Sequence, residues 1–207
     1  MIDFLLIGIL LGLSAGFAPG PLLTLVVSET LQYGVAAGIK VAITPVIADL
    51  PIIVAALLIV SELSSFDPVL GGIALLGGLF LFANGYTNIR CNGHQLKLSE
   101  GNSHSLLKGI LANILNPHPY LFWFTIGAST TGKALEQSTL AAVVFIGSFY
   151  LLLVGCKMVL ALMVGRSRSF LSGHLYIYTI RTLGVLLCLF AVAITTEGLE
   201  LLGLFER

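Results

Sequence analysis

The chain has 207 residues, 57% of them hydrophobic and only 10% charged, with a mean hydropathy of +1.03 and zero net charge. A soluble domain carries about 25% charged residues, so this composition excludes a large soluble core and places the chain in a membrane. Zero net charge gives no reason to expect nucleic acid. The three cysteines, Cys91 in a polar stretch and Cys156 and Cys188 in apolar ones, set up no disulfide framework.

A membrane-crossing helix needs roughly 20 mostly apolar residues. Six segments qualify: 4–27, 41–60, 69–89, 109–128, 138–164 and one within 175–202. The first opens on Asp3 rather than on basic residues and stays apolar to Val27, so it reads as a span and not as a cleavable signal. It is interrupted by Pro19-Gly20-Pro21. The second carries Asp49 between Pro45 and Pro51. The third holds Gly71, Gly72, Gly77 and Gly78, which read as close-packing positions, and Asn84. The polar stretch 90–108 is the only sizeable linker. The fourth segment contains Asn113, Asn116 and a second interruption, Pro117-His118-Pro119, and the fifth contains Lys157. The sixth encloses Arg181 if it starts near Leu175, or Glu197 if it starts near Leu183.

Proline removes a backbone donor and clashes with the preceding turn, so each interruption breaks its helix. In lipid the freed carbonyls need partners, and a broken helix survives only where it lines protein or a wet cavity. Two Pro/Gly-interrupted segments in corresponding positions of two halves point to a transporter binding site. Pro19/Pro117, Pro21/Pro119 and Gly34/Gly132 share one offset, 98 residues (117 minus 19). The linker separates residues 1–89 from 109–207, three spans each, and an odd number of spans inverts the second half. The expected fold is all-α and integral to the membrane: a single membrane domain over residues 1–207, with six transmembrane helices as two inverted three-helix repeats, helices 1 and 4 being broken. Lys40, Arg90, Lys97, Lys108, Arg166 and Arg168 follow spans one, three and five, against only Lys133 and Arg207 on the other side. The positive-inside rule then makes 90–108 a cytoplasmic loop and leaves both termini outside a multi-pass plasma (inner) membrane protein.

Only two charges, Asp49 and Lys157, sit well within unambiguous spans. A charge at a helix centre costs about 2.5–3.5 kcal/mol on insertion scales. Counted from the cytoplasmic ends, Gly20, Asp49, His118 and Lys157 fall in one layer roughly 10–14 Å deep. Asp49 is too short to reach the interface, and a functional role follows. Lys157 has the duller alternative of snorkelling, His118 that of a neutral histidine bonded to a freed carbonyl, and Asn84, Asn113 and Asn116 that of interhelical hydrogen bonding. Asp49 and Lys157, on equivalent helices of the two halves, form a candidate ion pair that opens or closes during transport. The half-helices after Pro21 and Pro119 present free N–H groups and positive dipole ends suited to a substrate carboxylate. The candidate site is therefore Pro19, Gly20, Pro21, Asp49, Asn84, Asn116, Pro117, His118, Pro119 and Lys157, with no metal and no cofactor.

Ala18-Pro19-Gly20-Pro21, Ala48-Asp49-Leu50 and Asn113-Ile114-Leu115-Asn116-Pro117 together resemble the LysE/RhtB family of amino-acid exporters. The glycine-rich 77–85 and Arg181-Thr182-Leu183-Gly184 are similar to that family too, and the resemblance covers essentially the whole chain. Ala48 stands where the family usually has glycine, and His118 where it often has lysine, so the substrate is not to be copied from lysine exporters. The resemblance implies efflux of amino acids or similar small metabolites, with protons as the coupling ion, a small-molecule substrate, membrane lipid around it and room for a homodimer. The rival reading is a divalent metal-ion exporter of a related six-helix family, with Cys91, His94 and His104 as soft loop ligands. An enzyme or thiol carrier is disfavoured, since no Cys-x-x-Cys, nucleophile–base pair or phosphate loop is present.

Overall fold

A computed structural model describes residues 1–58, 67–90, 104–167 and 173–204. The described residues are helical, with no strand among them: α1 (Ile2–Phe17), α2 (Pro21–Tyr33), α3 (Val35–Ala42), α4 (Thr44–Leu58), α5 (Asp67–Ile89), α6 (Ser105–Ile114), α7 (Pro117–Phe122), a π-helical turn (Trp123–Gly127), α8 (Ala128–Gln137), α9 (Thr139–Ser167) and α10 (Gly173–Leu201). Val35–Leu57, Pro68–Ile89, Thr139–Ser167 and Leu175–Leu201 are long and apolar enough to cross a membrane, and α1 with α2 makes a fifth if that pair, bent by 59°, is one span.

The sequence boundaries move in three places. The first apolar segment does not stop at Val27; α2 continues to Tyr33, where Gly34 (φ 93) turns the chain into α3. Gly132, the offset partner of Gly34, lies inside α8 without a positive φ, so that match marks no second turn. The fourth segment is divided among α6, α7, the π turn and α8, and none of these reaches membrane length alone. α10 is long enough to contain both Arg181 and Glu197.

Large apolar side chains point outward, among them Leu10, Leu79 and Leu151, the last 71% exposed. Lipid tails are as apolar as leucine, so such helices associate through small residues that let backbones approach. The only buried residues of α1 are Gly8, Gly12 and Gly16, all pressed against α9. On α5, Gly71 and Gly85 recur at the seven-residue spacing of Gly78 and meet Gly198 and Gly184 of α10, while Gly78 meets Ala191 and Thr195. Gly77 packs on the Leu115 carbonyl between α6 and α7. Gly72, read from the sequence as another packing position, has open space before it.

A polar cluster joins α2 to α5 and α6 at one end of the molecule. Glu29, only 2% exposed, accepts from Lys108 Nζ at 2.6 Å and from the Ser105 hydroxyl. Gln32 Nε2 donates to Ser28 Oγ (2.7 Å) and Asn88 Oδ1 (3.0 Å), and Asn88 Nδ2 donates to Ser28 Oγ (2.8 Å). At the other end the Met1 ammonium donates to Gln137 Oε1 at 3.2 Å.

The α1–α9 seam yields a direct test. A Cβ on Gly12 would stand 2.5 Å from the Phe149 carbonyl oxygen, a backbone atom that cannot step aside. Gly12→Val should lower the melting temperature in detergent sharply, an overpacking cost of at least about 1–3 kcal/mol, whereas Gly72→Ala should leave it unchanged. Equal melting of Gly12→Val and wild type would contradict the seam.

Candidate functional site

The first break begins with missing donors. α1 stops at Phe17, and Pro19 has no N–H for the carbonyl of Ala15, four residues back. Gly20 is fully extended (φ −170, ψ 177), so its N–H leaves the helical path on which it would have met Gly16. Both orphaned carbonyls are taken by one side chain: Lys157 Nζ donates to Ala15 O at 3.0 Å and to Gly16 O at 3.1 Å. Lys157 is 4% exposed, so it does not snorkel. Its charge lies at the negative end of the α1 dipole, where a cation is favoured. Across the gap, Pro21 starts α2 at a position that tolerates proline, and Gly20 as N-cap brings no side chain to the first N–H groups.

The second break is mended from within. Tyr120 donates its hydroxyl to Ile114 O at 2.9 Å, and the Asn116 side chain caps α7 by accepting from His118 N at 3.2 Å. α7 has only six residues before the π turn. The second half-helix therefore does not supply the open anion-binding end expected from the sequence; α2 alone presents one.

Asp49, on α4 and 4% exposed, holds the middle. Asn113 Nδ2 donates to its Oδ1, and the Tyr150 hydroxyl donates to its Oδ2 at 2.9 Å. Both donors are neutral. Asp49 and Lys157 form no ion pair, because the ammonium is engaged at the end of α1. Elsewhere Lys108 pairs with Glu29, and His118 Nδ1 lies 3.5 Å from Glu197 Oε2. Glu29 is thus a third charge buried inside the helical body, missed because the first span was drawn to end two residues before it.

A cavity of about 220 Å³ lies between these elements. Pro19, Gly20 and Pro21 line it from the first break, and Asn116, His118 and Pro119 from the second, with Asp49 and Lys157 between. Asn84 is not brought there: it lies on α5 and donates back to Phe80 O at 2.8 Å. Pro117 is buried at the start of α7 and does not line the cavity. His118 reaches the rim, 66% exposed, facing Glu197 of α10. Of the metal-ligand candidates, His104 is exposed at the start of α6, and Cys91 and His94 lie outside the described residues.

One family model, the LysE type translocator, matches residues 13–198, a stretch that contains both breaks and every cavity-lining residue. The chain belongs to that family. It is accordingly a multi-pass membrane translocator that exports small solutes, and not an enzyme. Neither a curated protein nor a solved structure matches it.

In this LysE type translocator several cavity residues escaped the sequence reading. Asn113, an interhelical amide on sequence grounds, is a direct partner of Asp49. Phe149 and Leu153 line the cavity on the face of α9 that Lys157 marks, at spacings of four residues, and Tyr150 beside them reaches Asp49. Trp123 and Phe122 were ordinary aromatics in the sequence. In the structure Phe122 stacks on Phe149 (centroids 5.0 Å) and Trp123 on Tyr150 (6.1 Å), making a continuous aromatic wall. Trp123 is 1% exposed, and its indole N–H faces Asp49 without reaching the geometry of a full hydrogen bond.

Lys157→Met should leave the Ala15 and Gly16 carbonyls without donors, at about 1–3 kcal/mol for a buried group left unsatisfied. A melting temperature in detergent several degrees below that of wild type is expected, with Lys157→Arg intermediate. Identical melting curves for Lys157→Met and wild type would show that the ammonium does not hold the break.

Proposed function

We propose that this chain exports amino acids or similar small metabolites in exchange for protons, by alternating access about the cavity between the two breaks. The carrying observation is that, among the described residues, Asp49 is the one carboxylate lining that cavity, and the donors it accepts from, Asn113 and Tyr150, are neutral. A carboxylate so placed accepts a proton or pairs with a substrate ammonium, not both at once. Loading one expels the other, and the emptied carrier returns protonated. That is antiport, and it needs no second ion.

The proposal includes six spans, with α6 through α8 as the broken fourth, and two inverted halves, 1–89 and 109–207, joined by a cytoplasmic linker at 90–108. The packing supports it: α1 meets α9, α6 meets α4, and α5 meets α10, so the first, second and third spans of one half pair with the second, first and third of the other. The ends support it too, with Met1 and Gln137 together at one end and Arg90, His104 and the Glu29–Lys108 pair at the other. Applying the positive-inside rule to the Lys40, Arg90, Lys108 and Arg166 end places the termini outside. A divalent metal ion finds one carboxylate in this cavity and one exposed histidine, too few ligands for a hard or a borderline cation.

Asp49→Asn keeps the size of the side chain and one of its two acceptor oxygens, and removes its charge and its proton. In proteoliposomes with an imposed pH gradient it should reduce amino-acid export to the background of empty vesicles, while the purified protein stays monodisperse and folded. Wild-type export by Asp49→Asn would overturn the proposal.

A further inference from the structure

We infer that the solute carried is a zwitterionic amino acid with an apolar side chain, bound between Asp49, the Lys157 end of the cavity and the aromatic wall of Phe122, Trp123 and Phe149. This rests on the exporter reading above and adds the substrate class. The first argument is charge. Among the described residues the cavity holds one buried carboxylate, Asp49, and one buried ammonium, Lys157. An α-ammonium takes the first. An α-carboxylate suits the third N–H of Lys157, two being spent on Ala15 and Gly16, and the N–H groups of Leu22 and Leu23, which no side chain caps. A lysine-like substrate brings a second cation, and no second acid among the described residues lines the cavity to meet it. Glu197 stands beyond His118 and is already its partner. An acidic side chain brings a second anion, for which Lys157 has no further N–H. An uncompensated charge buried in such a space is strongly disfavoured.

The second argument is the wall. The side chains of Phe122, Phe149, Leu22 and Leu153 present only carbon to the cavity. An apolar cavity of roughly 150 Å³ takes one benzene, so a space of about 220 Å³ fits an apolar side chain together with its zwitterionic head. The Trp123 indole N–H points the same way: among the described residues it is the one buried side-chain polar atom without a hydrogen bond of full geometry. Buried donors are nearly always satisfied. This one lines the cavity facing Asp49, one more neutral donor for the carboxylate that takes the α-ammonium.

Counterflow into proteoliposomes of the full chain tests this, with radiolabelled leucine, phenylalanine, lysine and glutamate each exchanged against its own unlabelled pool. Leucine and phenylalanine should exchange at least about tenfold faster than lysine and glutamate. Trp123→Phe keeps the ring and loses the N–H; it should raise the half-saturating leucine concentration roughly tenfold. Should that variant not fold, stabilisation of the wild-type melting temperature by leucine but not by lysine reads out the same preference. Lysine or glutamate exchanging as fast as leucine overturns the apolar assignment and leaves the exporter reading standing. No exchange with any of the four overturns both.

Discussion

A lysine that mends a helix is the interaction on which the rest depends. Proline at residue 19 deletes the donor that the Ala15 carbonyl needs, and the extended backbone at Gly20 withdraws the one that Gly16 needs. In hydrocarbon no water replaces them. Lys157 supplies both bonds from a helix more than 130 residues away in sequence, and its charge sits where the dipole of α1 favours it. Because the ammonium is spent there, Asp49 is left facing neutral partners, and the first turn of α2 stays open toward the cavity. Cavity, carboxylate and unbonded helix end all follow from that one arrangement.

The glycine seams make it reachable. A lysine stem can bridge α1 and α9 only if the two backbones lie close, and Gly8, Gly12 and Gly16 secure that approach. Helices held by small residues rather than by large apolar ones keep their leucines for the lipid. Aromatic bulk is concentrated instead where α7, the π turn and α9 meet, and there it walls the cavity. The two breaks are unlike in consequence. The second is repaired by its neighbours Tyr120 and Asn116, whereas the first is held by a single long side chain.

Much of this was legible in the sequence, and the limits have physical causes. Proline breaks helices wherever it falls, so both interruptions could be read directly, and Asp49 could not be explained as a snorkelling residue. The partner of Lys157 could not be read, because backbone carbonyls are the same at every position and only the fold selects Ala15 and Gly16. The expected Asp49–Lys157 pair rested on the symmetry of the two halves; a stronger local demand, two orphaned carbonyls, claims the ammonium. Glu29 was overlooked because hydropathy ends a span where polar residues begin, yet Lys108 and Ser105 let the helix continue with the carboxylate buried. Asn84 sat in a family-like string, but its amide is satisfied by its own helix. Trp123 and Tyr150 looked like filler, since burial beside a carboxylate is a property of packing and not of composition.

The most direct test of the central claim is whether solute flux moves protons. Proteoliposomes loaded with a pH-sensitive dye, given on the outside an amino acid that exchanges, report both together. Exchange at Asp49 predicts that the lumen becomes more alkaline as solute enters, in proportion to the flux. Solute entry at an unchanged luminal pH would contradict it.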